Sequence, residues 1–197
     1  MASHQKKIEL IDLKKYGFVL EPRYYFFGWS KSSKILGRKS AVQALLKAKN
    51  ILPKGYNFKI WDCWRPRKVQ IKMLAVFKTR LQYMHPNLKN DQVIKIVGKF
   101  AGPINPPIRV AKLGTHRNGG SFDITIIDRS GNELYMGTDH DDLTDRATTD
   151  FFESKKTLND QELIARKNRR LLKKVLLTAG FTNYKYEWWH WSFNKQL

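Results

Sequence analysis

One cysteine, Cys63, is all that this 197-residue chain contains. It allows no internal disulfide and no cage of thiolates, so a bound metal needs histidine and carboxylate ligands. Acid is scarce too: 17 Asp and Glu face 37 Lys and Arg, a formal charge of +20. That imbalance raises a polyanionic partner, either nucleic acid or an anionic cell-wall polymer meeting the basic surface. The basic residues are scattered, however. Their densest run (Arg166, Lys167, Arg169, Arg170, Lys173 and Lys174) is interleaved with Leu163, Ile164, Leu171, Leu172, Val175 and Leu176. This is the pattern of an amphipathic helix with a solvated basic face, and no specific nucleic-acid site is expected. Long apolar runs are also missing. No window approaches the ~18 residues of a membrane span, and the opening MASHQKK has no apolar signal-peptide segment. The expected location is the cytoplasm or the periplasm. What is present, 42% hydrophobic and 13% aromatic residues, is too apolar for a disordered chain. One domain over 1–197 is expected.

Local patterns predict the elements. Tyr24, Tyr25, Phe26, Phe27 and Trp29 cluster around Gly28 as core or pocket wall. Ser40 can cap a helix running to about Asn50. Tyr56, Phe58 and Ile60 alternate into a strand ending at Asp62, and Pro66 suits the first turn of a helix reaching about Met84. A shorter helix fits 90–100. Gly102 to Pro107 carries three prolines and reads as a loop. Residues 121–128 and 133–136 read as strands around Arg129-Ser130-Gly131-Asn132. After the basic helix and Gly180, Tyr184–Phe193 reads as one aromatic strand. Without regular βαβ alternation the class is α+β, a mainly antiparallel central sheet flanked by helices.

Two of the five histidines lie in contexts that suit metal ligation. In Thr115-His116-Arg117-Asn118-Gly119-Gly120-Ser121-Phe122-Asp123, a glycine pair lets the chain reverse and can bring His116 and Asp123 to one point. The same segment also reads as a surface histidine in a glycine turn. Glu187-Trp188-Trp189-His190-Trp191 offers His190 as a third ligand, which with a vacant fourth position is the catalytic zinc pattern. Glu187, set among tryptophans that raise its pKa, is a candidate base. On a regular strand, residues three apart face opposite sides, so Glu187 and His190 converge only at a bulge or strand end; otherwise they form the wet edge of an aromatic core strand. Arg65, in Trp61-Asp62-Cys63-Trp64-Arg65-Pro66, is a candidate for steadying an oxyanion, or a surface residue at a helix start.

Taken together, Asp62-x-Trp64-Arg65-Pro66, His116-x-x-Gly119-x-x-x-Asp123, Gly137-x-x-x-Asp141 and Glu187-Trp188-Trp189-His190 resemble, in order, the zinc D-alanyl-D-alanine dipeptidases of vancomycin-resistance type. The likeness runs from about Asp12 to Trp191. It implies an α+β zinc peptidase with its site in a cleft on the sheet. His116, Asp123 and His190 would hold one Zn²⁺ per chain, with Glu187 as base and Arg65 steadying the tetrahedral intermediate. Asp141 would meet the substrate amino group, and Thr115 would keep a hydroxyl beside the metal. The chain departs from the pattern at Gly114 (usually Ser), at Ser121 (usually Ala) and at His140 (usually Phe). The implied substrate is the D-Ala-D-Ala dipeptide. The rivals are a D,D- or L,D-carboxypeptidase of peptidoglycan stem peptides and a polyanion-binding module on a retired peptidase fold.

Overall fold

A computed structural model describes residues 8–102 and 115–194. The opening MASHQKK, the Pro103–Pro107 part of the expected loop and Gly114 lie outside the described residues. The elements in chain order are β1 (Leu10–Asp12), β2 (Val19–Leu20), α1 (Arg23–Phe26), β3 (Leu36–Arg38), α2 (Lys39–Lys49) and β4 (Asn57–Asp62). They continue with α3 (Arg67–Met84), α4 (Asn90–Ala101), β5 (Ser121–Ile127), α5 (Phe151–Ser154), α6 (Asp160–Thr178), β6 (Thr182–Asn183) and β7 (His190–Ser192). The main sheet has the order β2-β4-β5-β7-β6, while β1 and β3 form a separate antiparallel pair. Every pairing in the main sheet is antiparallel except β2 with β4, which is parallel. The fold is therefore α+β with a mixed, mostly antiparallel sheet. No helix among the described residues is long and apolar enough to cross a membrane.

Helices α2, α3 and α6 fall where the 3.6-residue spacing of apolar residues puts them, because one stripe of each is buried. Pro66 stands just outside α3, its φ of −60° setting the chain direction into the first turn. Asn159 and Glu162 close a reciprocal capping box at the start of α6. Strand β5 is buried along its whole length, as expected of the sheet's middle strand. Its Phe122, Ile124 and Ile126 share a core with Leu45 of α2, Phe58 and Ile60 of β4, Leu172 and Leu176 of α6, and Trp188, Trp189 and Trp191. A second cluster joins Tyr24 to α3 and α4 through Val69, Met73, Phe77, Val93 and Val97.

Three local expectations are corrected. Residues 133–136 do not form a strand: Glu133 makes a single bridge to Ile127, Leu134 N–H donates to the Ile126 carbonyl, and the pairing goes no further. The cause is α6, whose Asn168 and Arg169 side chains donate to the carbonyls of Tyr135 and Met136. Tyr184–Phe193 is not one strand either. It splits into a loop and β7, which pairs with β6, because the Asn183 amide donates to the carbonyls of both Glu187 and His190 and clips the loop shut. Third, Arg169 does not belong to a solvated basic face. It is buried and donates to the carbonyls of Met136, Thr148 and Arg146 at 2.7–2.9 Å. Its neighbours Arg170 and Lys173 stay at the surface, paired with Glu153 and Asp150.

Arg169 thus ties both ends of the segment that carries His140 and Asp141 to α6. Each bond from a buried charged donor contributes roughly 1.5–3 kcal/mol, and the bonds are not additive. Arg169→Met, which keeps the apolar stem and removes the donors, is expected to lower unfolding free energy by about 2–4 kcal/mol in chemical denaturation. A change below about 0.5 kcal/mol would show that the tie is inert.

Candidate metal and active site

Three strand positions lie in one row across the sheet. Asp123 of β5 sits opposite Asp62, at the end of β4 just past a register shift, and opposite His190, at the start of β7. The row places the Asp123 carboxylate between Asp62 and the imidazole of His190. His116 arrives from outside the sheet, on a short 3₁₀ turn (His116–Asn118) that leads into β5. The turn closes at Gly119, whose φ is +67°, and a Cβ there would lie 2.7 Å from the backbone nitrogen of Arg38. Only glycine meets both demands. Asn118 holds the turn by accepting from the backbone N–H of Thr115 and Gly120.

The ligand atoms form a small triangle. His116 Nε2 lies 3.1 Å from His190 Nδ1, and Asp123 Oδ1 lies 3.3 Å from each. Ligands held at ~2.0–2.1 Å in a tetrahedral arrangement are ~3.3–3.4 Å apart, so the triangle has the size of one face of a metal tetrahedron. The far side of each imidazole is anchored. His116 Nδ1 lies 2.7 Å from the Cys63 carbonyl, which can only accept, so in the neutral imidazole Nδ1 carries the proton and Nε2 offers its lone pair to the triangle. His190 Nε2 is 3.3 Å from Ser192 Oγ, itself bonded to Ser121 Oγ. Asp123 is 2% exposed, and its Oδ1 lacks a hydrogen-bond partner among the described residues. Two imidazoles and a carboxylate aimed at one point require a cation between them, either a proton or a metal ion.

The charges reflect this. Burial and Arg65 oppose charge on His116, but Asp123 and Asp62 outweigh them and raise its pKa to about 9. Burial pushes His190 down, with His116 and Arg65 adding to the effect against Asp123. Burial would raise Asp123, yet its histidine neighbours hold it well below the usual carboxylate range.

Around the triangle stand the other expected residues. Glu187 is buried in the loop just before β7, with Oε2 3.5 Å from His190 Nδ1. The strand end that Glu187 and His190 need in order to converge is therefore present. Burial, followed by the nearby Asp123 and Asp141 carboxylates, pushes Glu187 well above the ordinary carboxyl range. Arg65 is 7% exposed and almost fully engaged: Nε donates to Asp62, Nη1 to Gln70 and Met73 Sδ, and Nη2 to Asp123 at 2.7 Å. Of its five N–H groups this leaves one Nη2 proton for a ligand. Thr115 Oγ1 is buried and forms no well-aligned hydrogen bond among the described residues. Asp141 adopts φ +62° and receives the Tyr24 hydroxyl at 3.3–3.4 Å.

Sequence reasoning assigned no role to Tyr24, Gln70 or Asp62. Asp62 stands in a motif with Arg65 and orients both Arg65 and His116. For Tyr24 the only signal was an aromatic cluster, and Tyr24 is the buried member of it, whereas Phe26 and Phe27 stay exposed.

His116, Asp123 and His190 are grouped so that they could hold a metal ion, with a buried glutamate and an arginine beside them. The comparisons agree. The M15 peptidase family model, described as D-ala-D-ala dipeptidase, matches residues 28–197, and the chain belongs to that family. It is a peptidase, and membership implies a metal. The D-alanyl-D-alanine dipeptidase of Synechocystis is 26% identical over 171 residues, covering 81% of this chain and 68% of the relative. That of Enterococcus faecalis is 26% identical over 166 residues (81% and 73%), and that of Escherichia coli 26% over 161 residues (81% and 67%).

Proposed function

We propose that the chain is a zinc-dependent dipeptidase that hydrolyses D-alanyl-D-alanine to two molecules of D-alanine, with one Zn²⁺ held by His116, Asp123 and His190. The observation that carries this reading is the triangle of ligand atoms, 3.1–3.3 Å on each edge, with the Glu187 carboxyl beside it. Bound there, zinc supplies a Lewis acid that polarises the scissile carbonyl and makes water a better nucleophile. Glu187 accepts the proton of the attacking water and delivers it to the nitrogen of the leaving D-alanine. Its raised pKa suits both halves of that transfer. The remaining Nη2 proton of Arg65 steadies negative charge on the carbonyl oxygen as water adds. Asp141 pairs with the ammonium of the dipeptide, and the Thr115 hydroxyl is a further polar contact for substrate.

The partly buried Asp141 carboxylate, its side chain 13% exposed, makes a free amine part of recognition. Blocking the amine removes the cation facing a largely shielded carboxylate that keeps the Tyr24 hydroxyl, a cost toward the lower end of the ~3–5 kcal/mol of a broken buried ion pair. N-acetyl-D-Ala-D-Ala is therefore expected to be hydrolysed at least ~10²-fold less efficiently than the free dipeptide by zinc-loaded protein. Equal kcat/KM for the two would overturn the dipeptidase reading and leave a carboxypeptidase acting on longer stem peptides.

A further inference from the structure

His140 has no role in the chemistry described so far, yet its surroundings are specific. Its side chain is buried, tilted at 32° against Trp61 with ring centroids 4.8 Å apart and met edge-on by Trp189. Trp61 is itself held beneath the Arg23 guanidinium, 4.2 Å from the ring centroid. The imidazole is thus held between two indole rings, one of them covered in turn by Arg23. Among the described residues neither ring nitrogen forms a well-aligned hydrogen bond, although a buried polar group without partners is costly. Nε2 nevertheless points between two carboxylates, 3.4 Å from Asp123 Oδ2 and 3.4 Å from Asp141 Oδ1.

We propose that His140 is a positioning residue that sets the spacing between the Asp141 and Asp123 carboxylates, and that this spacing selects substrates with a free α-amino group one carbon from the scissile carbonyl. The inference rests on the dipeptidase reading above and adds to it a residue, standing where the family usually has phenylalanine, that sharpens the amine selectivity Asp141 provides. Two carboxylates facing one another in a site shielded from water repel, and an N–H between them offsets the repulsion while keeping both aimed inward. The backbone of Asp141 lies in the left-handed region, at φ +62°, which aspartate tolerates better than most residues but which still costs energy relative to the right-handed form. Its side-chain contacts, the Tyr24 hydroxyl at 3.3–3.4 Å and His140 Nε2 at 3.4 Å, bear on where the carboxylate lies. In a dipeptide a single carbon separates the α-amino nitrogen from the scissile carbonyl carbon. A carboxylate held at a set distance from the metal ligands accepts the ammonium only when the carbonyl has reached its place.

The test compares zinc-loaded native protein, His140→Phe and His140→Gln on D-Ala-D-Ala and on propionyl-D-Ala, which differs only in lacking the amine. Phenylalanine keeps the packing on Trp61 and loses the donor, whereas the glutamine amide can restore an N–H near the Nε2 position. His140→Met serves as the donorless variant if phenylalanine does not fold. The preference for the amine-bearing substrate, as a ratio of kcat/KM values, is expected to fall about tenfold or more in His140→Phe, mainly through KM, and to recover in His140→Gln. Calorimetric binding of D-Ala-D-Ala to Glu187→Gln, with and without His140→Phe, is expected to show the same weakening independently of turnover. An unchanged preference in a folded donorless variant, or equal losses on both substrates, would overturn the inference and leave His140 a packing residue. If the native protein neither binds nor cleaves D-Ala-D-Ala, the dipeptidase reading itself fails, and the inference falls with it.

Discussion

Glu187→Gln is expected to lower kcat on D-Ala-D-Ala by ~10²–10⁴-fold while the protein keeps its full complement of metal, because an amide cannot take the proton of the attacking water. The substitution is nearly isosteric, and the carboxyl it replaces is buried and pushed toward its neutral form, so little folding energy depends on its charge. The loop around it is held by backbone bonds that the change does not touch: Glu187 N–H to the Tyr184 carbonyl, Trp188 N–H to Ala147, and the Asn183 clip. Retained metal by elemental analysis together with an unshifted Tm would place the loss in the chemical step. Turnover within a few-fold of native would remove Glu187 from the mechanism.

Asp123→Asn is expected to have a still broader effect, abolishing stoichiometric metal binding and activity together. Asp123 supplies the one anionic corner of the proposed ligand triangle, and the same carboxylate receives Arg65 at 2.7 Å through its other oxygen. An amide presented there removes the negative charge that balances a divalent cation and turns an N–H toward either the metal position or the guanidinium. Removing one partner of a buried ion pair costs on the order of 3–5 kcal/mol. Asp62 still holds Arg65 through Nε, so the loss is expected toward the lower end of that range. Elemental analysis reads the first effect, and denaturation of the metal-free native and variant proteins reads the second. Full metal stoichiometry with native affinity in Asp123→Asn would overturn the ligand assignment, whatever the stability change.

The site was legible in the sequence to the extent that its chemistry is local. His116, the glycine turn and Asp123 lie within one short segment, and Glu187 and His190 within another, so each half of the ligand set could be read without knowing the fold. Their convergence could not, because it depends on β7 pairing with β5 in the register that sets Asp123 against His190. The strand end that lets Glu187 join them comes from the Asn183 amide capturing two carbonyls, and no alternation of apolar residues records that. Arg65 was recognisable as a charged group at a strand-to-helix junction. Its near-complete engagement with Asp62, Gln70 and Asp123 is a matter of packing.

By itself the sequence determined the helices α2, α3 and α6, the strand pattern of β4 and β5, the need for nitrogen and oxygen ligands in a chain with one thiol, and the order of motifs that marks the peptidase family. These are properties of short segments, in which side-chain periodicity, caps and turn residues act over a few positions. Tertiary structure alone decided the parallel pairing of β2 with β4, the early end of sheet pairing in residues 133–136, the burial of Arg169, and the meeting of Tyr24, His140 and Asp141 beside the ligand triangle. Each of these depends on a hydrogen bond or ion pair between residues far apart in the chain. Such contacts form only once the core has excluded water and left the polar groups with no partners but one another.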